Sequence, residues 1–203
     1  MEENQTAESV EQAPAAVKEQ EPKKSGAVRA FGLFAIIAAI ALCVGYFLPY
    51  TSMTDETRAS FEASASQEVL KGSGITNGDM FDASFVTWTR LYWQESESVS
   101  DALNIGAGSN SVLWIFAIMV ASAALAVLAL LFALARKATP IVLLSLLNVG
   151  VLSFLSAFFE EIAVGAKYTW AFGHTYMIVV LAMLMFAGVS LFCAKRKAKR
   201  SAK

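Results

Sequence analysis

The stretch VLWIFAIMVASAALAVLALLFALA, Val112 to Ala135, decides the fold class of this chain. It contains no Asp, Glu, Lys or Arg, and it is as long as the roughly 20 apolar residues that a helix needs to cross a bilayer. Because it lacks the alternation of apolar and polar residues that marks a membrane β-strand, the stretch predicts a transmembrane helix.

Three further apolar runs accompany this stretch. They are FGLFAIIAAIALCVGYFLP (Phe31 to Pro49), IVLLSLLNVGVLSFLSAFF (Ile141 to Phe159) and AFGHTYMIVVLAMLMFAGVSLFCA (Ala171 to Ala194). The whole chain is 56% hydrophobic and 16% charged, whereas a soluble domain has about 25% charged residues. We therefore predict an all-α protein: a four-helix transmembrane bundle with a large, partly helical first extracytoplasmic loop.

The predicted organisation divides the chain into tails, spans and loops. The segments are a disordered cytoplasmic tail (1–26), the first span (27–49), the extracytoplasmic loop (50–111), the second span (112–135), a cytoplasmic turn (136–140), the third span (141–159), a short outer loop (160–170), the fourth span (171–194) and a polybasic cytoplasmic tail (195–203). The first tail is predicted to be disordered because it is polar and cannot bury enough apolar surface to fold. We expect the first run to be a span and not a cleaved signal peptide, since no A-x-A site follows it.

Lysine and arginine are distributed unequally between the two sides of the predicted bundle. The side that holds both termini has 12 of them and the other side has four. Because basic loops remain in the cytoplasm, we predict a plasma-membrane protein with cytoplasmic N- and C-termini. The tail KRKAKRSAK (Lys195 to Lys203) is expected to lie against anionic lipid in the bilayer. It is too short, and too poorly supported by a fold, to indicate a nucleic-acid partner.

The predicted outer loop is acidic and long enough to fold. Residues 50–111 hold nine acids and three bases. A structureless connection of this length is uncommon in a compact domain. The first part, TDETRASFEASASQEVLKGSG, predicts a helix that begins at a Thr54 cap and ends at Lys71, just before Gly72.

The second part of the loop, NGDMFDASFVTWTRLYWQES, is rich in aromatic residues. Phe81, Phe85, Trp88 and Tyr92 have the spacing of one helical face. A strand is the alternative, because the segment is also rich in β-branched residues. An apolar face of this size requires burial, so it packs on the outer ends of the spans, enters the lipid headgroup region, or contacts a membrane or envelope protein partner.

Polar residues are rare inside the predicted spans. The runs contain no charged residue in their interiors, and Asn148 is the most polar side chain. Because amide groups commonly join helices within membranes, Asn148 is predicted to hydrogen-bond to a neighbouring helix. Contact with a transported substrate is the alternative.

The stretch FFEEIAVGAKYTWAFGHTY holds Glu160, Glu161 and His174, the one histidine of the chain. The favoured interpretation is a membrane boundary, where aromatic residues mark the headgroup level on either side of a short loop. The alternative is an acid–base or metal site at the outer surface. No common catalytic, metal-binding or phosphate-binding motif occurs in the chain, so we predict no enzymatic activity, no metal and no cofactor.

The layout of four spans, a large first outer loop and cytoplasmic tails resembles small tetraspan membrane proteins such as the claudins. The claudin W-GLW-C-C signature is absent, and the loop from Tyr50 to Ser111 has no cysteine, so the resemblance concerns topology alone. The alanine-rich spans, with YTWAFGHTY opening the last one, also look similar to uncharacterised bacterial four-span membrane proteins. This resemblance implies no functional residues.

These observations favour a non-enzymatic accessory or scaffold protein. It would contact an envelope partner through its acidic, aromatic outer loop. A small oligomeric transporter, channel or sensor built around Asn148 is the alternative, and an enzyme that uses Glu160, Glu161 and His174 ranks third.

Overall fold

The computed structural model describes residues 26–102, 110–162 and 167–201, and for residues 95–102, 110, 111 and 162 it describes the backbone alone. The elements in these ranges are α1 (Gly26–Gly45), β1 (Thr51–Met53), α2 (Asp55–Phe61), α3 (Phe85–Ala102), α4 (Asn110–Leu134), α5 (Ala138–Ile162), β2 (Tyr168–Trp170) and α6 (Phe172–Ser201), with short 3-10 helices at Glu62–Ser64 and Gly78–Met80. The all-α prediction is confirmed, since the two strands have only three residues each. The predicted tail 1–26 lies outside the described residues apart from Gly26.

Four of the helices, α1, α4, α5 and α6, are long and apolar enough to cross a membrane. Large apolar side chains cover their outward surfaces, and Leu33, Leu147 and Phe186 are each more than half exposed. Apolar patches of this extent are rare on the surface of a soluble protein. The bundle is therefore that of a multi-pass membrane protein.

The four long helices form a closed ring. Helix α1 packs against α4 and α6, and α5 packs against the same two helices. Small buried residues line the interfaces of α1 and α4: Ala35, Ala38, Ala39, Ala126, Ala129 and Ala133. Small side chains permit close approach of the helix backbones, which is how helices associate in lipid.

The largest differences between the helix ends and the predicted boundaries are at the ends of the first and fourth spans. Helix α1 ends at Gly45, four residues before the predicted limit at Pro49, and the chain then turns through Tyr46–Leu48. Helix α6 continues to Ser201, so the basic segment from Lys195 extends the last span as a helix. Lysine, arginine and alanine all favour helix, and nothing in the segment interrupts it.

Residues 50–94 form an ordered structure at one end of the bundle, which we call the cap. Its first helix, α2, begins as predicted: Thr54 Oγ1 accepts a hydrogen bond from Thr57 N at 3.4 Å. The predicted length is wrong, since α2 ends at Phe61 and not at Lys71.

The chain after α2 folds back on itself instead of continuing as a helix. Gly72 and Gly74 have positive φ angles of 84° and 63°, and both donate backbone hydrogen bonds to the Glu68 carboxylate. Val69 N then bonds to Ile75 O at 2.9 Å. The backbone groups that a helix extending to Lys71 would have used near this turn are satisfied across the turn instead.

Helix α3 confirms the helical interpretation of the aromatic segment over the strand alternative. Ser84 caps it, because Ser84 Oγ accepts a hydrogen bond from Thr87 N at 3.1 Å. The helix begins at Phe85, so Phe81 precedes it and does not share a helical face with the other three aromatics. This part of the prediction is wrong because the 3-10 helix at Gly78–Met80 and the Ser84 cap separate Phe81 from α3.

Strands β1 and β2 form an antiparallel pair that the sequence did not predict. Thr51 pairs with Trp170, and Met53 pairs with Tyr168. The pair joins the segment that follows α1 to the segment that precedes α6, and we call it the clamp. The clamp fixes the cap to the bundle and brings Tyr50 and Trp170 together.

Candidate functional site: a polar cavity beside the cap

The aromatic side chains of α3 are buried between the cap and the ends of the spans. Phe85, Trp88 and Tyr92 are each less than one-tenth exposed. Trp88 lies edge-on to Phe159 of α5 at 5.1 Å between ring centroids, and to Tyr168 of β2 at 5.3 Å. This face packs inside the protein, so the predicted partner-contact face is not exposed in this conformation.

Phe81, the fourth residue of the predicted face, is partly exposed. The guanidinium carbon of Arg58 lies 5.2 Å from the centre of the Phe81 ring. Arg58 also forms an ion pair with Asp82 at 2.7 Å. Phe81 thus belongs to the surface of the cap, where a cation covers its ring.

A directional hydrogen bond fixes α3 to the clamp. The indole Nε1 of Trp88 donates to Thr51 Oγ1 at 2.8 Å, and both residues are buried. Burial raises the pKa of the neighbouring Tyr168 to about 12, so its phenol is neutral at physiological pH. The cap therefore rests on a neutral aromatic surface with its buried indole group hydrogen-bonded.

Asn148 lies in a closed hydrogen-bond network with Ser122 and Tyr46. Ser122 Oγ donates to Asn148 Oδ1 at 2.7 Å, and Asn148 Nδ2 donates to the Tyr46 hydroxyl at 3.2 Å. That hydroxyl lies 2.9 Å from the Ser122 carbonyl oxygen, to which it donates. All three residues are buried. The network links α4, α5 and the chain just beyond α1, as an interhelical role for Asn148 requires.

A cavity of about 360 Å³ opens between α5 and α6 at the capped end of the bundle. Its polar lining residues are Tyr50, Ser153, Ser156, Glu160 and His174, and its apolar ones include Val149, Leu152, Met177 and Leu181. A mostly apolar cavity with a few convergent polar groups is the usual form of a small-molecule site. This cavity is the candidate functional site.

His174 has a fixed orientation at the mouth of the cavity. Its Nε2 lies 3.0 Å from Ser156 Oγ. Its ring stacks on Trp170 with centroids 4.0 Å apart and an angle of 19°, and Tyr50 meets it edge-on at 5.3 Å. The histidine therefore faces the interior of the protein between α5 and the clamp.

The Tyr50 hydroxyl extends this polar chain, since it lies 3.4 Å from Ser156 Oγ. Burial raises the pKa of Tyr50 to about 12, which keeps its hydroxyl protonated at neutral pH. Tyr50, Ser156 and His174 thus form a continuous row of groups that can both donate and accept hydrogen bonds.

Only part of the predicted outer site comes together around the cavity. Glu160 lines it alongside His174, whereas exposed Glu161 is not among the lining residues. Within the described ranges, no cluster of three His, Cys, Asp or Glu side chains is placed to hold a metal ion. The two cysteines, Cys43 and Cys193, are both free.

Sequence reasoning missed three residues of the site: Tyr50, Ser156 and Trp170. Ser156 has an i, i+4 relation to Glu160, which would have placed both on one helical face of the third span. Trp170 and His174 are also four residues apart, although Trp170 is the last residue of β2 and His174 lies in the first turn of α6. No local signal pairs Tyr50 with either of them, because the clamp brings them together from distant parts of the chain.

No protein family, curated protein or solved structure matches this chain. The fold alone therefore defines its class: a multi-pass membrane protein with four candidate spanning helices and an ordered cap at one end.

Proposed function

We propose that the protein is a non-enzymatic accessory protein of the plasma membrane that presents its cap to an envelope partner. The termini lie in the cytoplasm and the cap lies outside, in keeping with the excess of basic residues at the opposite end. One observation carries the proposal: the cap is folded and anchored to the spans, while its outward side is acidic.

The outward side of the cap is formed by α2 and the turn that follows it. Asp55, Glu56, Phe61 and Glu62 are exposed there. We call these four residues the acidic face. An exposed aromatic ring with acidic neighbours suits contact with a basic protein surface, since charge complementarity guides and selects partners.

The other exposed carboxylates of the cap hold the cap together. Glu68 accepts backbone hydrogen bonds at the Gly72–Gly74 turn, Asp79 accepts from Thr76 N at 2.8 Å, and Asp82 pairs with Arg58. The acids of the cap therefore divide into a structural set and the acidic face. We therefore assign the proposed contact to the acidic face and not to Phe85, Trp88 and Tyr92, which are buried.

Site-specific photo-crosslinking in intact cells tests the proposal. A photoreactive residue at exposed Ala63 is expected to capture one partner protein repeatedly, and mass spectrometry identifies it. The variant Asp55→Asn/Glu56→Gln/Glu62→Gln is expected to lose this crosslink, whereas Glu161→Gln, an exposed carboxylate outside the cap, keeps it. Recovery of the protein alone, or an undiminished crosslink in the triple variant, contradicts the proposal.

The cavity between α5 and α6 favours a second candidate, a sensor of a small molecule. Its row of hydroxyl and imidazole groups above an apolar floor suits a compact ligand with one polar end. The transporter version of this candidate requires Asn148 to meet a substrate, but both polar atoms of its amide are engaged in the helix network.

Thermal unfolding of the purified protein with a library of small polar metabolites tests the sensor candidate. A ligand of the cavity is expected to raise Tm in the wild type and not in Ser153→Trp, which fills the cavity without removing a hydrogen bond of the Tyr50–Ser156–His174 row. Leu147→Trp, on a surface of α5 that is 58% exposed, is the matched control and keeps the response. Equal responses in both variants would remove the cavity from consideration.

A further inference from the structure

The end of the bundle opposite the cap has a second cavity, of about 470 Å³. It lies between the α4–α5 turn and the last turns of α6. Its principal lining residues are Lys137, Lys195, Arg196 and Lys199, with Pro140 and Phe192. Among the described residues that line it there is no carboxylate, so four cationic groups share one concave surface.

The turn that forms one wall of this cavity is held in place by α6. Arg136 adopts the left-handed conformation with φ of 53°, and Lys137 N bonds to Phe132 O at 2.9 Å. The ammonium group of Lys195 donates to the Arg136 carbonyl oxygen. The two walls of the cavity are therefore joined through Lys195, and the cationic side chains are held close together by the fold.

The spans offer nothing that neutralises this charge. Residues 112–159 and 162–203 contain no Asp or Glu. Six glutamates occur in residues 1–24, which precede α1 in the sequence. A counter-charge for the cavity must therefore come from that segment, from dissolved anions or from the membrane surface.

The position of the cavity along α6 favours the membrane surface. Lys195 follows Phe172 by 23 residues, which corresponds to about 35 Å of helix, slightly more than the roughly 30 Å hydrocarbon core. With Phe172 at one boundary, Lys195 thus reaches the headgroups of the opposite leaflet. Phe192 lies nearly one turn closer to the bilayer centre and is 47% exposed. The cavity is cationic toward the headgroups and apolar toward the acyl chains.

We propose that this cavity is a discrete binding site for an anionic glycerophospholipid. The lipid phosphodiester lies among Lys137, Arg196 and Lys199, and the first carbons of its acyl chains lie along Phe192. The N-terminus of α5, which begins at Ala138 in the wall of the cavity, adds its partial positive charge on the same side. This site differs from general attraction of the basic segment to a charged surface, because it also requires Lys137 of the α4–α5 turn.

Native mass spectrometry of the full chain in detergent, with phosphatidylglycerol or phosphatidylcholine added, tests the proposal. The wild type is expected to retain phosphatidylglycerol preferentially. Lys137→Gln/Lys199→Gln is expected to weaken its binding about 25-fold, or about fivefold for each basic residue lost. The control variant Lys197→Gln/Arg200→Gln also removes two positive charges, but from positions of α6 that do not line the cavity. It is expected to have little effect on phosphatidylglycerol binding.

Equal weakening in the two double variants, or equal retention of both lipids, overturns the discrete site in favour of general surface attraction. Inorganic phosphate at the same concentration is expected not to displace the lipid; displacement would assign the cavity to free phosphate. The third test neutralises the six glutamates of residues 1–24 with Gln. Lipid binding that appears only in that variant would make the N-terminal segment the occupant and overturn the proposal.

Discussion

The two ends of the bundle achieve order by different means. At the capped end, aromatic rings pack edge-on, the clamp joins two distant segments, and the polar groups of Asn148 and Trp88 find partners within the chain. At the basic end, one short turn and one lysine hydrogen bond connect the helices, and cations line an open cavity.

At the capped end the polar side chains bond to one another inside the protein, whereas at the basic end the cationic side chains face outward. A side chain of the capped end that loses its partner leaves a polar group or a void inside the protein, which costs stability. Removal of a cationic side chain at the basic end lowers the positive charge of the surface and leaves the packing inside the protein nearly unchanged. Substitutions at the capped end should therefore change the free energy of unfolding, whereas substitutions at the basic end should change what binds.

The largest effect is expected from Gly173→Ala at the capped end. A Cβ at Gly173 would lie 2.5 Å from the Pro49 carbonyl oxygen, which already accepts the Gly173 N–H at 2.7 Å. Because the obstructing atom is backbone, the clamp must shift, and we expect a loss of about 2–3 kcal/mol. Titration from mild detergent into dodecyl sulfate measures the free energy of unfolding.

The control for this substitution is Gly150→Ala on α5. A Cβ at Gly150 meets nothing within 4 Å, and alanine favours helix over glycine, so stability should stay constant or rise slightly. A loss at Gly150 equal to that at Gly173 would contradict the close approach of α6 to Pro49.

The next effect is expected from Asn148→Leu, which removes the amide that links α5 to α4. Ser122 loses its acceptor and the Tyr46 hydroxyl loses a donor, both in buried positions. We expect a loss of about 1–2 kcal/mol in the same titration. Ser145→Ala is the control, because Ser145 Oγ bonds only within its own helix, to Ile141 O at 2.8 Å. Equal losses in the two variants would show that the network does not couple the helices.

A smaller effect is expected from Thr51→Val. This change leaves the buried indole N–H of Trp88 without its acceptor, and we expect a loss of about 1 kcal/mol. The proteolytic cleavage rate at Arg58 or Lys71 in the cap should rise, since the cap opens more often. Thr169→Val removes only an exposed side-chain hydrogen bond of the clamp, from Thr169 Oγ1 to Ser52 O at 3.3 Å, and should change that rate less. A faster rate in Thr169→Val than in Thr51→Val would assign the anchor to the strand pair alone.

The smallest effect is expected from the carboxylate of Asp82 at the edge of the cap. Hydrogen bonding from Ser52, followed by the ion pair with Arg58, holds the pKa of Asp82 below its usual value. The resulting stabilisation is present above about pH 4, the usual pKa of an aspartate, and is lost as pH falls through the lowered pKa. Because the Arg58–Asp82 pair is exposed, it contributes less than about 1 kcal/mol to the free energy of unfolding.

A comparison of Tm against pH between wild type and Asp82→Asn measures this contribution. The two curves should differ above pH 4 and converge in stronger acid. Ser52→Ala keeps the carboxylate but removes its principal hydrogen bond, so its loss of Tm in acid should be smaller than that of the wild type and complete at a higher pH. Parallel curves for wild type and Asp82→Asn over the whole range would contradict the assignment.

The four spans and the N-cap residue of α2, Thr54, were predictable because their sequence signals are local. Four apolar runs determine four helices whatever else the chain contains, and Thr54 begins a helix through a hydrogen bond to a residue three positions away. Asn148 was predictable as a helix contact because an amide inside a span requires a partner. Its partners, Ser122 and Tyr46, depend on the helix arrangement and were not.

The fold of the segment after α2 and the clamp were not predictable, for different physical reasons. The Glu68 carboxylate accepts the Gly72 and Gly74 amides where the sequence also suits a helix, which is a choice between two local structures that propensity alone does not decide. Each clamp strand has three residues, too few to show a period of two, and its partner lies far away in sequence. The stack of Trp170 on His174 follows from the clamp.

The clamp also has a consequence for the order in which the protein is made. Thr169 Oγ1 donates to Ser52 O across 117 residues, so β1 waits for its partner until the chain has been synthesised beyond α5. Chains grow at about 5–20 residues per second, so the cap remains incomplete for several seconds at the membrane. During this interval its aromatic residues lack the cover that Tyr168 provides. Nascent chains that end before residue 168 should therefore expose the cap to protease, because synthesis of β2 is the step that completes the cap.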